Sequence, residues 1–393
     1  MRSSKPRTRR HFLAESAALA AVAATPWRVA AADAPDRADA FVADVVREVV
    51  KATPGGNVVL SPVSLQASLA LAAMGARGET RDRLQAALGL SGLDPEAIRA
   101  RFASVMLETH RAVFVRDVAI DPAYAQAAAD GLQADVRRLP ADSQVAVQMI
   151  NDWADESTHH RIRRVMDSLD PSTRLVLADA VFLKFDWLHS FKPAETRDEP
   201  FHRHAGDSIR VPMMSMILDT TAGACSVGLF VHLKFAGAGD GVDLVLPRAG
   251  LSAEDALDRV LRSPQELVPG PRWHEYYREV HLKLPRLMLK SSNALSHALA
   301  HTGIGALCEH ADLAGISPEL SEGMLGEIQQ QAWMKVDEQG VEAAAVTSSV
   351  VITGAAIPAD PPLELVFDRP FALVIRDRNV LFAAVVRDPS ITT

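Results

Sequence analysis

The sequence predicts a single large α+β domain, and three observations predict it. Apolar residues recur at helical spacing early in the chain. Apolar runs of strand character dominate the remainder. No linker-like stretch divides the chain after its first 32 residues. With 48% apolar and 23% charged residues among 393, the chain can bury a sizeable core. Aromatic residues are only 5%, so Ala, Val and Leu must supply most of that core.

Residues 1–32 read as a secretory leader. A basic region with Arg7, Arg9 and Arg10 precedes an Ala-rich apolar stretch at 17–24, and the small residues Val29, Ala30, Ala31 and Ala32 come next. Arg9 and Arg10 before Phe12 and Leu13 are similar to a twin-arginine signal. A basic arm with a chance Arg pair is the alternative. Cleavage is expected near Ala31 or Ala32, leaving residues 33–393 as one secreted or periplasmic domain. The leader carries six cations (Arg2, Lys5, Arg7, Arg9, Arg10, Arg28) against Glu15, so its removal takes the formal net charge from −8 to −13. An acidic body argues against binding a phosphate backbone. The basic cluster at residues 159–164 reads as a solvated helix end.

The helices come first. Val42, Val45, Val46, Val49 and Val50 define an amphipathic helix, ended by Thr53-Pro54-Gly55-Gly56. Ser61 before Pro62 reads as an N-cap with proline at the first helical position. Residues 63–74 are Ala- and Leu-rich on nearly every face, the pattern of a buried helix. A third helix at 79–88 stops at Gly89.

The strands come after them. The apolar run at 175–187 is long for one strand and suits a central strand covered on both faces. Shorter strands are expected at 242–246 and 280–289. Residues 371–375 and 380–386 read as a C-terminal hairpin. Residues 347–362, with small side chains, Gly354 and three prolines, read as an exposed loop. Cys225 and Cys308 lie 83 residues apart with no CxxC spacing; an oxidising compartment would let them bond, and with no geometric support for a bond they are read as two unpaired structural thiols.

The usual signatures of catalysis are missing. The sequence contains no GxSxG elbow, no HExxH and no phosphate loop. His202 and His204 lack the Cys or acidic partner that would complete a metal site and read as a surface pair. No metal, cofactor, nucleic acid or membrane is therefore expected, and no residue is assigned a catalytic role.

Eight blocks in order resemble the serpin family: NVVLSPVSLQASLALAAMGARGET (57–80), INDWADES (150–157), LDPSTRLVLADAVFLKFDW (169–187), VPMM (211–214), LPRL (284–287), ADLAGIS (311–317), VDEQGVEAAAVT (336–347), and RPFALVIRD with LFAAVVRDP (369–389). The resemblance spans about residues 40–390. It implies three β-sheets, roughly nine helices and an exposed reactive-centre loop at about 338–362. It also implies a secreted, bacterial-type inhibitor of a serine protease, with cysteine proteases a second target class. The inhibitor would act as a monomer: the protease attacks the loop, and the cut loop inserts into the main sheet and traps the acyl-enzyme.

The resemblance carries specific residues. Glu338, Gly340, Val341, Glu342, Ala343, Ala344, Ala345 and Thr347 correspond to the hinge. The severed bond falls at Gly354-Ala355 or Ala355-Ala356. Ser61, Ser64, Asp179, Trp187 and Gln330 belong to the region that opens to admit the loop. The residues themselves fit the mechanism. Alternation puts Val341, Ala343, Ala345, Thr347 and Ser349 on one face, small or β-branched, with the only charge, Glu342, on the other. If ~10 new backbone hydrogen bonds each contribute ~1 kcal/mol, insertion gains on the order of ten kcal/mol and the uncut fold is a kinetic trap. Small residues at the severed bond suit a shallow pocket, favouring an elastase- or subtilisin-like target.

Some positions depart from the family pattern. Asp179 stands where the family usually has Asn, and Gln330 where it usually has His; an amide-to-carboxylate hydrogen bond would join the two. Phe182 and Phe185 replace Tyr and Gly, and the loop is a few residues longer than is common. A non-inhibitory relative acting as carrier, chaperone or structural partner is the alternative function. Such members tend to have bulky or charged hinges, unlike the small residues here.

Overall fold

Residues 37–52 form the first helix because their valines share one face, and the rest of the molecule is built outward from such elements. The computed structural model describes residues 37–183, 185–203, 206–237, 241–267, 277–340 and 361–390. The expected leader, most of the expected loop and His204 lie outside these residues. Eight α-helices are present among the described residues: α1 (Arg37–Ala52), α2 (Pro62–Gly75), α3 (Gly78–Leu88), α4 (Pro95–Phe102), α5 (Pro122–Leu132), α6 (Ser143–Ser157), α7 (Ala253–Arg262) and α8 (Ser296–Ala300). Every residue of α2 except Met74 is buried, as its uniformly apolar sequence requires. Gly89 ends α3 in a left-handed conformation, φ 64°. The basic cluster does come after a helix end: α6 stops at Ser157, and His159 and His160 turn the chain with φ of 52° and 63°.

Fourteen strands complete the described structure: β1 (Val58–Leu60), β2 (Leu107–Arg116), β3 (Ala134–Leu139), β4 (Leu175–Leu183), β5 (Arg197–His202), β6 (Ser208–Ala224), β7 (Gly228–Lys234), β8 (Gly241–Pro247), β9 (Tyr277–Pro285), β10 (Leu287–Ala294), β11 (Glu327–Val336), β12 (Leu363–Val366), β13 (Phe371–Arg376) and β14 (Val380–Val386). One sheet has the order β10-β11-β4-β2-β3. Of the other nine strands, eight form the hydrogen-bonded path β1-β14-β13-β8-β7-β6-β9-β12 and β5 pairs with β6 beside it, but β6 divides this path. Residues 213–221 of β6 pair with β9, while its last three residues pair with β7. The path is thus two sheets joined through one long strand, and three sheets result. The α6 side of the five-stranded sheet carries its own apolar layer, including Phe114, Trp153, Ala178, Ala180 and Phe182. Its other face packs on the main core with α2.

Three expectations need correction. The run at 175–187 is not one strand: β4 stops at Leu183, and Asp186 and Trp187 make isolated bridges to Gly340 and Phe235. Apolar character continues because Phe185 and Trp187 enter an aromatic cluster with Phe235, not because the β4 ladder continues. The run at 280–289 is two strands in different sheets, since Arg286 breaks it by donating its N–H to Pro212 O at 2.9 Å. Ser61 occupies the N-cap position with extended backbone but does not cap α2 through its side chain. Its hydroxyl instead donates to Leu381 O at 2.7 Å, tying α2 to β14. Cys225 and Cys308 form no disulfide, as expected.

The buried side chain of Asn57 closes the domain. Its Oδ1 accepts from the N–H groups of Arg387 and Asp388 at 2.8 and 3.0 Å, and its Nδ2 donates to Asp388 O at 2.7 Å. Asn57→Ala strands two buried N–H groups, each worth about 1–3 kcal/mol. The variant should lose roughly 2–6 kcal/mol of stability by that count. Thermal unfolding checks this, and an unchanged midpoint would mean the C-terminal hairpin docks without Asn57.

Candidate functional site: the seam between two parallel strands

β4 and β11 lie side by side and parallel, in register from Val176 opposite Glu327 to Phe182 opposite Trp333. β4 is buried along its whole length. Residues 329, 331 and 333 of β11 face the α6 side, and residues 328, 330 and 332 face α2. From β11 the chain runs through residues 337–340, the start of the expected hinge, and leaves the described structure at Gly340.

On the α2 side, Gln330 closes the seam. Its Oε1 accepts from the N–H of Ser61 at 2.9 Å, and its Nε2 donates to Ser61 O at 3.0 Å and to Asp179 Oδ2 at 3.2 Å. The expected amide-to-carboxylate bond is therefore present. Ser61, Asp179 and Gln330 thus meet, all at most 3% exposed. Ser64 joins them through a residue that sequence reasoning missed. Arg111 of β2 is opposite Asp179 in register; its Nε is 3.4 Å from Asp179 Oδ1, and its Nη2 donates to Ser64 Oγ at 3.2 Å. The ion pair is close, but neither of its facing atoms has a hydrogen-bond partner. Burial pushes the Asp179 carboxyl up and the Arg111 guanidinium down, and each charge opposes the other's shift. A charged residue beginning the apolar stretch Ala112–Val115 was the one available signal for Arg111.

At the hinge end a second polar grip forms. Glu338, 5% exposed, accepts from Nε and Nη2 of Arg286, with Nε at 2.9 Å from Oε2, and from the Thr196 hydroxyl at 2.6 Å. Burial alone would raise this carboxyl, but the bonds from Arg286 and Thr196 outweigh it and hold it below the usual range. Neither Arg286 nor Thr196 was expected from the sequence. Arg286 is the same residue that splits the 280–289 run, so the break frees its side chain for this role. Trp187 Nε1 donates to Asp337 O at 2.8 Å, and its ring lies 4.8 Å from Phe185 and 5.7 Å from Phe235. The backbone carbonyl of Phe185, a residue where the family usually has Gly, lies under Gly340. Gly340 has φ 114°, and a Cβ there would strike Phe185 O and Asp186 Cα. Glycine is needed at this turn.

The described chain resumes at Pro361, whose carbonyl accepts from Arg278 Nη2 at 2.7 Å, and β12 then pairs with β9. A segment of 20 residues, 341–360, therefore joins two anchored ends. Val341, Glu342, Ala343, Ala344, Ala345, Thr347, Gly354, Ala355 and Ala356 all fall in it, outside the described residues.

The sequence model of the family described as serpin (serine protease inhibitor) matches residues 36–389. The chain belongs to the serpin family. Antichymotrypsin-2 of Bombyx mori is 30% identical over 365 residues, 87% of this serpin and 94% of the relative. Serine protease inhibitor 42Dd of Drosophila melanogaster is 28% identical, covering 86% and 93% of the two chains. The structure of an Arabidopsis serpin in its native stressed conformation has the same fold, with TM-score 0.76 at 22% identity over 92% of this serpin and 100% of that chain. Human thyroxine-binding globulin, solved with thyroxine, also shares the fold, with TM-score 0.74 at 22% identity over 91% and 98%. This serpin is accordingly a member of an inhibitor family and not an enzyme.

The buried charges can be tested one at a time. Asp179→Ala leaves Arg111 buried and unable to shed its proton, so it should cost about 3–5 kcal/mol. Arg111→Met should cost less, because the remaining carboxyl can protonate, and its penalty should shrink as pH falls. Replacing both should recover most of the stability; equal, additive losses in thermal unfolding would show that the pair is not coupled. For Glu338 the folded-state carboxyl is depressed, so its stabilisation is complete above the ordinary glutamate pKa of 4.5 and is lost as pH falls below it. The difference in unfolding temperature between wild type and Glu338→Gln should therefore be largest near neutrality and vanish in acid. A difference independent of pH would exclude the charge as its source.

Proposed function

We propose that this serpin inhibits a serine protease by offering the segment 341–360 as substrate and, once cut, inserting it between β4 and β11. The observation that supports this reading is the parallel pairing of two adjacent central strands, β4 and β11, with the chain leaving the described structure at one end of the seam. A strand descending from Gly340 would run antiparallel to both neighbours. It would replace one parallel ladder with two antiparallel ones, which bond more favourably per residue. The small and β-branched side chains at 341, 343, 345, 347 and 349 suit a strand entering a packed layer. An insertable hinge of this composition supports inhibition over a carrier role.

The target favoured is elastase- or subtilisin-like, because Gly354, Ala355 and Ala356 suit a shallow specificity pocket. The leader at 1–32 supports export, with removal near Ala31 or Ala32.

Incubation with a protease panel should yield a denaturant-resistant 1:1 complex. The released C-terminal fragment should begin at Ala355 or Ala356, and one beginning at Arg376 or later would overturn the placement of the severed bond. Val341→Arg asks the inserting strand to bury an unpaired charge, which costs several kcal/mol. Its loop should be cut at the wild-type rate, while the number of serpin molecules consumed per protease inactivated rises severalfold. A ratio equal to wild type would mean that insertion does not proceed through this hinge.

A further inference from the structure

The α6 side of the seam ends in a feature that neither polar grip explains. Phe182 and Trp333 are directly opposite in register, with ring centroids 5.9 Å apart at 56°. They form the last rung of the β4–β11 ladder; beyond it Met334, Lys335 and Val336 pair with β10 alone. The rungs below on the same face pair Ala180 with Gln331 and Ala178 with Gln329. Phe182–Trp333 is thus the one aromatic contact across the seam among the described residues.

Phe182 is fixed from above. The Arg161 guanidinium lies 5.3 Å over its ring, and Arg161 Nη1 is 3.6 Å from Glu108 Oε2 on β2. The His110 ring meets Phe182 edge-on at 6.5 Å, and His110 Nε2 is 3.1 Å from Glu108 Oε1. These groups hold Phe182 to the β2–β4 side. Trp333 belongs to β11 and is only partly buried.

We infer that Phe182 and Trp333 form a clasp that must part before the loop enters the sheet, and that Trp333 sets the rate of insertion. Neighbouring strands lie about 4.8 Å apart, so one inserted strand moves β4 and β11 to about 9.6 Å and ends the ring contact. Insertion starts at the Gly340 end, where this rung is the first closed one. Trp333 is a positioning residue: it touches no protease and acts by holding the seam shut. The inference rests on the insertion mechanism proposed above.

The test uses the intact protein and an acetylated peptide copying residues 341–352, so no protease is needed. Peptide uptake is followed as mobility on native gels and as a rise in unfolding temperature. Trp333→Val keeps strand propensity but removes the ring, and should take up peptide roughly tenfold faster than wild type, the weight of one aromatic pair. Trp333→Phe restores a ring and should return the rate to within about twofold of wild type. Equal uptake by wild type and Trp333→Val would overturn the clasp and leave the insertion mechanism standing. Equally fast uptake by Trp333→Val and Trp333→Phe would also overturn it, since the ring contact would then not matter. Uptake by none of the three would overturn insertion and the clasp together.

Discussion

The ladder between β4 and β11 is the constraint on which the rest of this structure depends. Both strands are central, both are flanked by further strands, and they run parallel. A parallel pair in the middle of an otherwise closed sheet is bonded less favourably than two antiparallel pairs would be. The alternative arrangement needs a third strand, which under the proposed mechanism the chain beyond Gly340 would supply. What keeps the uncut form in place is then the set of side chains that hold the seam shut, not the backbone ladder alone.

Those side chains act at three levels. Gln330 on the α2 face reaches across to Asp179 and simultaneously grips both backbone groups of Ser61, so parting the strands disturbs the start of α2 as well. The Arg111–Asp179 pair ties β4 to β2 on the side away from the seam. Separation at β4–β11 can therefore leave this buried charge pair intact, whereas separation at β2–β4 would expose or strand it. This difference would direct the proposed opening to one place. Glu338 and Trp187 hold the hinge end through bonds to Arg286, Thr196 and Asp337 O. Thr196 lies just before β5 and Arg286 just after β9, so the hinge end is held beside the sheet that contains those strands.

The departures from the family pattern become intelligible in this setting. An aspartate in place of asparagine at 179 would be costly alone in an apolar interior, and Arg111 offsets it. Phenylalanine in place of glycine at 185 is accommodated because its ring stacks with Trp187 and Phe235 and its carbonyl passes under Gly340, which has no Cβ to obstruct it. These are local repairs, and each uses a residue distant in sequence.

The positions of α1, α2 and α3, the burial of α2 and the C-terminal hairpin were legible in the amino-acid sequence, because periodicity, turn residues and small side chains act over a few neighbouring residues. Ser61, Asp179, Trp187, Gln330, Glu338 and Gly340 were reached through ordered blocks that resemble a family, and the Asp179–Gln330 bond from the chemistry of the two side chains. Tertiary structure alone decided the rest. It ended β4 at Leu183 and split the 280–289 run at Arg286, where apolar content continued but the hydrogen-bond partners changed. It turned the Ser61 hydroxyl from α2 to β14. It also brought Arg111 to Asp179, Arg286 to Glu338, and Arg161 with Trp333 to Phe182. Such pairings join residues tens to hundreds of positions apart, and no local pattern records them: which charges and rings meet across a sheet is set by strand order and register, and those depend on the packing of the whole chain.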